Sequence, residues 1–294
     1  MKSLNKIAVI ADLLTAEPAL SRAVALAKAS KAELVLYAFV HDSLGDDDAL
    51  LSDKERHAYR EKLIDARHQA LAVELKSVAP KLRPNIEVIW HKRYHEWLCD
   101  NVKKRGIDLV IKHGRPSKKA FYMPSDWHLM RRLPVPLWLV DDRSPAEGAV
   151  VTAIDAGDKR SSQKKLDQEV LQTGALLAPL MKAKLKSVFV RALPQLLFDL
   201  DLVDHRSYKN KAEEQAKAAS AKRCKEAGVD DQVSNNLVGF GHPEDMLPRL
   251  LRKEKAALLV MGTVGRKGVE EWLVGNTSER VIADVRCDVL IIKG

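Results

Sequence analysis

The sequence is poor in cysteine and in aromatic residues, and it has no long hydrophobic run. Its three cysteines, Cys99, Cys224 and Cys287, are scattered and form no Cys-x-x-Cys pair, which argues against a disulfide framework and a cysteine-rich zinc module. No stretch approaches the roughly 20 apolar residues that span a bilayer, and the first residues lack the apolar core of a signal peptide. We therefore expect a cytoplasmic protein without membrane insertion.

A concentrated basic region is also missing, although the net charge is +9. Residues 1–147 carry 25 basic and 20 acidic residues, and residues 148–294 carry 24 and 20, so the two halves have excesses of +5 and +4. No recognition-helix or aromatic RNA-binding motif accompanies this charge. Nucleic acid is therefore not an expected partner.

Strand-like and helix-like segments alternate twice along the chain. This rhythm is typical of a parallel sheet with helices on both faces. The strand patterns are at 7–12, 34–40, 85–91, 108–112 and 136–140, then at 150–155, 187–190, 232–238, 257–261 and 288–292. The helical patterns are at 16–30, 53–79 and 94–105, then at 161–183, 206–227 (closed by Gly228) and 244–254.

The second half repeats the first at the length of a domain. Asp12 and Asp155 follow equivalent strands 143 residues apart, a period far longer than that of a solenoid. The polar segment 141–148 joins the halves as a linker. We predict two α/β domains, residues 1–142 and residues 149–294, each an open five-stranded parallel sheet with helices on both faces.

The most informative segment follows the fourth strand of the second half. It contains Gly262, Gly265 and Gly275 with the spacing Gly-x2-Gly-x9-Gly, and Thr277 or Ser278 is placed to cap the helix that follows. Glycines at the carboxyl end of a strand let main-chain N–H groups approach an anion, and a helix N-terminus favours negative charge. The Gly-Lys-Ser/Thr ending of a P-loop is absent, and the position after the fourth strand does not fit a dinucleotide fingerprint. The pattern predicts a phosphate-binding loop.

These three glycines, in this spacing and strand context, resemble the nucleotide-binding loop of the universal stress protein family. The tandem arrangement covers the whole chain and is most similar to the E-type members of that family. The family has Ser or Thr after the last glycine, where this chain has Asn276 followed by Thr277. An amide can still donate a hydrogen bond to a phosphate.

The resemblance implies an adenine nucleotide, namely ATP, ADP or AMP with or without magnesium, at the carboxyl edge of the second domain. It gives Asp155 the place of the acidic residue beside base and ribose, and Val190 the main-chain position that meets adenine. Capping of the following turn is the other interpretation of Asp155. The loop residues that would hold the phosphates are Gly262, Thr263, Gly265, Arg266, Gly275, Asn276 and Thr277.

The first half lacks this glycine-containing loop. Lys112 aligns with Gly262 at an offset of 150, and only Gly114 remains of the glycines, so we expect no ATP binding there in the family manner. His91, His95 and Cys99 are spaced by four, but His91 lies in a strand pattern and we assign no metal site. The resemblance also implies that the two domains pack as an intramolecular counterpart of the family's homodimer, near 136–140 and 288–292. Further homo-oligomerisation stays open.

No enzyme motif and no catalytic residue stands out. We expect a nucleotide-binding protein of stress response or regulation, at most a slow ATPase. The alternatives are an ATP-dependent hydrolase or transferase of the related α/β superfamily, or a module that binds a different ligand in its first half. Substitutions such as Gly262→Arg and Gly275→Asp are expected to abolish nucleotide binding while the protein still folds.

Overall fold

The computed structural model describes residues 1, 3–11, 17–78, 84–114, 125–142, 144, 147–192, 204–263 and 276–294, with the main chain alone at 17, 77, 205 and 276–279. Contacts divide the chain into two units, Leu4–Val140 and Asp141–Gly294, the latter including Met1–Ser3. They are called the first and the second domain below. No helix in the described part of the chain has the length and apolar character needed to cross a membrane.

The first domain is a parallel sheet with the strand order β3-β2-β1-β4-β5. Its strands are β1 Lys6–Ala11, β2 Glu33–Val40, β3 Asn85–Trp90, β4 Leu109–His113 and β5 Leu137–Val140. Its helices are α1 Glu17–Ser30, a 3-10 turn at Ser43–Asp46, α2 Asp53–Val78, α3 Tyr94–Asn101 and α4 Ser125–Arg132.

The second domain repeats this arrangement with the strand order β10-β9-β6-β7-β8. Its strands are β6 Ala149–Ile154, β7 Leu185–Arg191, β8 Val233–Phe240, β9 Ala256–Thr263 and β10 Asp288–Lys293. Its helices are α5 Ser161–Leu180, α6 His205–Ala227, α7 Pro243–Lys253 and α8 Asn276–Asp284. Helices α5 and α6 pack together against one face, and α7 and α8 pack together on the other.

The predicted fold class is confirmed. Central strands such as β1 and β9 are apolar and buried over nearly their whole length, because helices cover both faces of a parallel sheet. Gly228 ends α6 in the left-handed conformation, with φ of 69°, as the sequence predicts. Lys31, Lys182 and Lys255 adopt the same left-handed conformation just after α1, α5 and α7. The sequence does not predict these three helix ends from a glycine, because none stands there.

Three local predictions differ from the structure. Helix α3 ends at Asn101 and not at 105, because turns follow it up to Gly106, whose φ is +68°. Helix α4 lies in a segment for which the sequence predicts no element. Helix α8 begins at Asn276, so Thr277 and Ser278 lie inside its first turn and neither precedes the helix as a cap.

Candidate functional site

The carboxyl ends of β6, β9 and β7 are neighbours at one edge of the second domain's sheet. From β6 the chain proceeds to β7 and β8 on one side, and then returns to β9 and β10 on the other. The loops that follow β6 and β9 therefore leave in opposite directions and open a crevice between them. Open α/β sheets bind their ligands at such a switch point.

The structure places four of the predicted site residues at this edge. Asp155 directly follows β6, while Gly262 and Thr263 end β9. Val190 is the next-to-last residue of β7, which Arg191 ends. The remaining loop positions are not described by side chain: Gly265, Arg266 and Gly275 lie outside the described residues, and Asn276 and Thr277 are described only as main chain of α8.

Asp155 is exposed, and its carboxylate accepts no hydrogen bond from any described residue. Its main-chain carbonyl accepts a hydrogen bond from the N–H of Asp158 at 3.1 Å, which closes a turn. The carboxylate of Asp158, the last residue of this turn, accepts from the N–H and the guanidinium of Arg160 at 2.8 Å each, just before α5 begins. These hydrogen bonds from Arg160 hold the pKa of Asp158 below its usual value. The carboxylate of Asp155 is therefore not used as a turn cap.

Below the turn lies a buried polar network that sequence reasoning missed. Asp167 of α5 is 1% exposed and Arg223 of α6 is 6% exposed, and Arg223 Nε lies 3.3 Å from Asp167 Oδ2. Burial raises the pKa of Asp167 despite the opposing effects of Gln163, the Asp155 N–H and Arg223. A signal was present in the sequence, since Gln163 and Asp167 stand at helical spacing among apolar residues of α5.

Gly262 has a packing role in addition to its place at the site. A Cβ atom there would lie 2.5 Å from Cγ of Leu166 on α5, so only glycine lets the helix approach β9 this closely. Substitution at this residue should therefore destabilise the second domain, in addition to any effect on ligand binding. Thr263 is 5% exposed, and its hydroxyl donates to the carbonyl of Ile292 at 3.5 Å. Its side chain is directed to β10.

Strand register corrects the alignment of the two halves by one residue. In β4, Lys112 pairs with Ile10, two residues before the aspartate that follows β1. In β9, the residue that pairs with the equivalent Ala153 is Met261. Lys112 therefore corresponds to Met261, and the alignment of Lys112 with Gly262 is wrong.

His113 consequently stands in the first domain where the second has Gly262. It is buried, at 7% exposure. Beside it, Lys112 Nζ lies 2.9 Å from Asp126 Oδ1 of α4 and also donates to the carbonyl of His113 at 2.9 Å. The side chains of this ion pair are 4% and 9% exposed. The carboxyl edge of the first domain thus holds an imidazole and an internal ion pair in place of a glycine.

Three further histidines of the first domain, His91, His95 and His128, lie near the same edge. His91 follows β3, and its Nδ1 accepts from the N–H of Arg93 at 3.2 Å, whereas His95 and Cys99 lie on α3. His95 stacks on His128 of α4 with ring centroids 4.7 Å apart. Within the described ranges, no three His, Cys, Asp or Glu residues are grouped to hold a metal ion.

This stacked pair predicts acid sensitivity of the first domain. Burial holds the pKa of His95 below its ordinary value; the charges of His128, Arg93 and Arg132 act in the same direction, and Glu96 opposes them. The unfolded chain therefore binds this proton more readily than the folded domain. The free energy of unfolding should fall as the pH drops below about 6.5, the ordinary pKa of histidine.

Urea denaturation between about pH 7 and pH 5 measures this slope. The variant His95→Gln should show a shallower pH dependence than the wild type. The matched control is His57→Gln, on the exposed face of α2, which should keep the wild-type slope. Equal slopes in the wild type and in His95→Gln would contradict the prediction.

The sequence profile of the universal stress protein family matches residues 4–141 and again residues 150–293. The chain belongs to the universal stress protein family. Universal stress protein E of Escherichia coli K12 is 28% identical over 288 residues, covering 94% of this chain and 90% of that protein. The universal stress protein E homolog of Haemophilus influenzae is 27% identical over 307 residues, covering 100% of this chain and 98% of that protein.

Solved structures share the tandem fold of this universal stress protein. A functionally unknown protein from Pseudomonas aeruginosa PAO1 is similar with a TM-score of 0.69 at 24% identity, over 99% of this chain and 93% of that one. A universal stress protein from Archaeoglobus fulgidus has a TM-score of 0.63 at 13% identity, over 98% of both chains. These likenesses support the architecture of two similar α/β domains.

Proposed function

We propose that the second domain binds an adenine nucleotide, ATP or its di- or monophosphate, at its carboxyl edge. The observation that carries the proposal is the placement of Asp155 and Gly262 at the ends of β6 and β9, on the two sides of the switch point. A nucleotide needs a hydrogen-bond acceptor for its ribose hydroxyls and N–H donors for its phosphates. The exposed carboxylate of Asp155 supplies the first of these.

The proposed source of the N–H donors is the end of β9, the segment that follows it and the start of α8. Gly262, Gly265 and Gly275 suit a close approach of main chain to phosphate, and the N-terminus of α8 at Asn276 directs further N–H groups and a favourable dipole to the same end of the sheet. Val190 at the end of β7 is the proposed contact of the base. Magnesium, if bound, would balance phosphate charge.

The role that fits these features is a tandem universal stress protein that responds to adenine nucleotide in stress response or regulation. Hydrolysis, where it occurs, is expected to be slow, since no described residue at this edge is placed as a water activator. We propose that one nucleotide binds per chain, because the first domain has His113 and the Lys112–Asp126 pair at the equivalent edge. The packing of the two domains near 136–140 and 288–292 stays a prediction.

Calorimetric titration with ATP tests the site. The variant Asp155→Ala should bind roughly 10- to 150-fold more weakly, because it loses a charged hydrogen-bond acceptor worth about 1.5–3 kcal/mol, and the wild type should titrate with one site per chain. The matched control is Asp12→Ala, the aspartate at the same sequence position in the first domain, which should leave the affinity unchanged.

An equal loss in both variants, or in neither, would contradict the assignment to the second domain. Mass spectrometry of the denatured protein gives an independent test, since a nucleotide that copurifies should be depleted from Asp155→Ala and retained by Asp12→Ala.

A further inference from the structure

The main chain that presents Asp155 is tied at two points to the interior of the second domain. Oδ1 of Asp167 accepts from the Asp155 N–H at 3.2 Å and from Gln163 Nε2 at 2.8 Å. Arg223, which pairs with the same carboxylate, donates through Nη2 to the carbonyl of Asp158 at 2.8 Å. One connected network from α5 and α6 therefore fixes both ends of the 155–158 turn.

This network is not the simplest way to fill the space. A buried ion pair is often no more stable than apolar side chains of the same size, because both charges must leave water. Helix α1 follows the first strand of its own domain as α5 follows β6, and the part of it that the structure describes offers a comparison. All of the buried side chains among its described residues 18–30 are apolar: Ala19, Leu20, Ala23, Val24, Leu26 and Ala27.

We infer that Asp167 and Arg223 are positioning residues for the nucleotide site of the second domain. They hold the 155–158 turn so that the Asp155 carboxylate stays at the crevice between β6 and β9. Their contact with the turn is through its main-chain N–H and carbonyl groups, so they act on the ligand only through Asp155. The inference rests on the proposed function for its ligand, whereas the order of the turn can be measured without any nucleotide.

The test combines ATP titration with hydrogen exchange of peptides that cover 155–160 in the nucleotide-free protein. The informative variant is D167L/R223M, which replaces the ion pair by apolar side chains, leucine having the same number and branching of heavy atoms as aspartate. We expect a free energy of unfolding close to that of the wild type, ATP affinity at least tenfold lower, and exchange of the turn amides at least tenfold faster. A merely structural role would not separate affinity from stability in this way.

Two further variants keep the test decisive. D167N/R223M also removes both charges but retains an oxygen that can accept from the Asp155 N–H, so it should lose less affinity and less protection than D167L/R223M, and it serves if that variant does not fold. Glu254→Gln is the matched control, because it breaks the 2.5 Å Lys186–Glu254 pair at the opposite edge of the same sheet. It should leave both the ATP affinity and the exchange of the turn unchanged.

Wild-type affinity in a folded D167L/R223M variant would overturn the inference, as would wild-type exchange of its turn amides. The same holds if Glu254→Gln weakens ATP binding as much as D167N/R223M does. Failure of the wild-type protein to bind ATP would overturn the proposed function and the nucleotide part of the inference. The exchange rates then decide alone whether Asp167 and Arg223 order the turn.

Discussion

Replacing Lys112 by methionine is expected to lower the free energy of unfolding of the first domain by about 3–5 kcal/mol. The substitution removes the ammonium group that lies 2.9 Å from the Asp126 carboxylate, in a place where both side chains are more than nine-tenths buried. A buried carboxylate that loses its cation keeps the cost of desolvation and loses the compensating attraction. The loss should therefore far exceed that of an exposed ion pair.

Urea titration followed by tryptophan fluorescence measures this change, since four of the five tryptophans, Trp90, Trp97, Trp127 and Trp138, belong to the first domain. The double variant K112M/D126L removes both charges and should recover most of the loss. The matched control is Lys6→Met, whose partner Glu33 is largely exposed and whose loss should stay within about 1 kcal/mol. A loss of that size in Lys112→Met would show that the buried pair contributes no more than a surface one.

Replacing Gly262 is expected to destabilise the second domain, by about 1–3 kcal/mol for alanine and by more for arginine. The new Cβ would overlap three carbon atoms of Leu166, at 2.5, 2.6 and 2.8 Å, so the buried Leu166 side chain or α5 itself must shift to admit it. Interiors are packed densely enough that such overlap displaces neighbours rather than filling a void. Loss of ATP binding by Gly262→Arg would therefore report on packing as well as on the phosphate loop.

The double variant G262A/L166A separates the two effects. Leu166→Ala alone creates a cavity and should lower the free energy of unfolding by about 2–5 kcal/mol. The loss in G262A/L166A should be smaller than the sum of the losses in the two single variants, because their sites are in contact. Pulsed alkylation of Cys224 and Cys287 in urea measures the unfolding of this domain, because both thiols are buried and burial raises the pKa of Cys287 to about 12. Strict additivity would contradict the proposed contact.

The sequence was sufficient to predict the alternation of elements, because that alternation depends on local patterns, whereas the nucleotide site stays a prediction. Apolar runs in parallel strands and the glycine spacing after β9 are visible one segment at a time. The order of strands then brings Asp155 and Gly262 to one edge without further information. Prediction of α6 up to Gly228 succeeded for the same reason, since a left-handed glycine is a local signal.

The features that escaped prediction depend on contacts between distant segments. In the sequence, Lys112 lies at the end of a strand pattern and Asp126 in a segment without a predicted element. They form a buried ion pair only because α4 packs beside β4. Asp167 and Arg223 are 56 residues apart and meet only when α5 packs on α6. The one-residue error in aligning Lys112 with Gly262 has a similar origin, because the register between two paired strands cannot be inferred from the sequence of either strand alone.

The exchange of Gly262 for His113 has a consequence for any attempt to transplant the glycine loop into the first domain. In the second domain the Leu166 side chain of α5 fills the space between helix and strand, and Gly262 of β9 contributes no side chain to it. In the first domain the strand supplies the imidazole, while α1, which packs on β4, buries Ala19 and Ala23. By the 143-residue offset of Asp12 and Asp155, Leu166 corresponds to Ala23, so a graft of the loop alone would remove the imidazole without supplying the leucine side chain. A transfer of the site to the first domain would therefore have to include both the loop that follows β9 and helix α5.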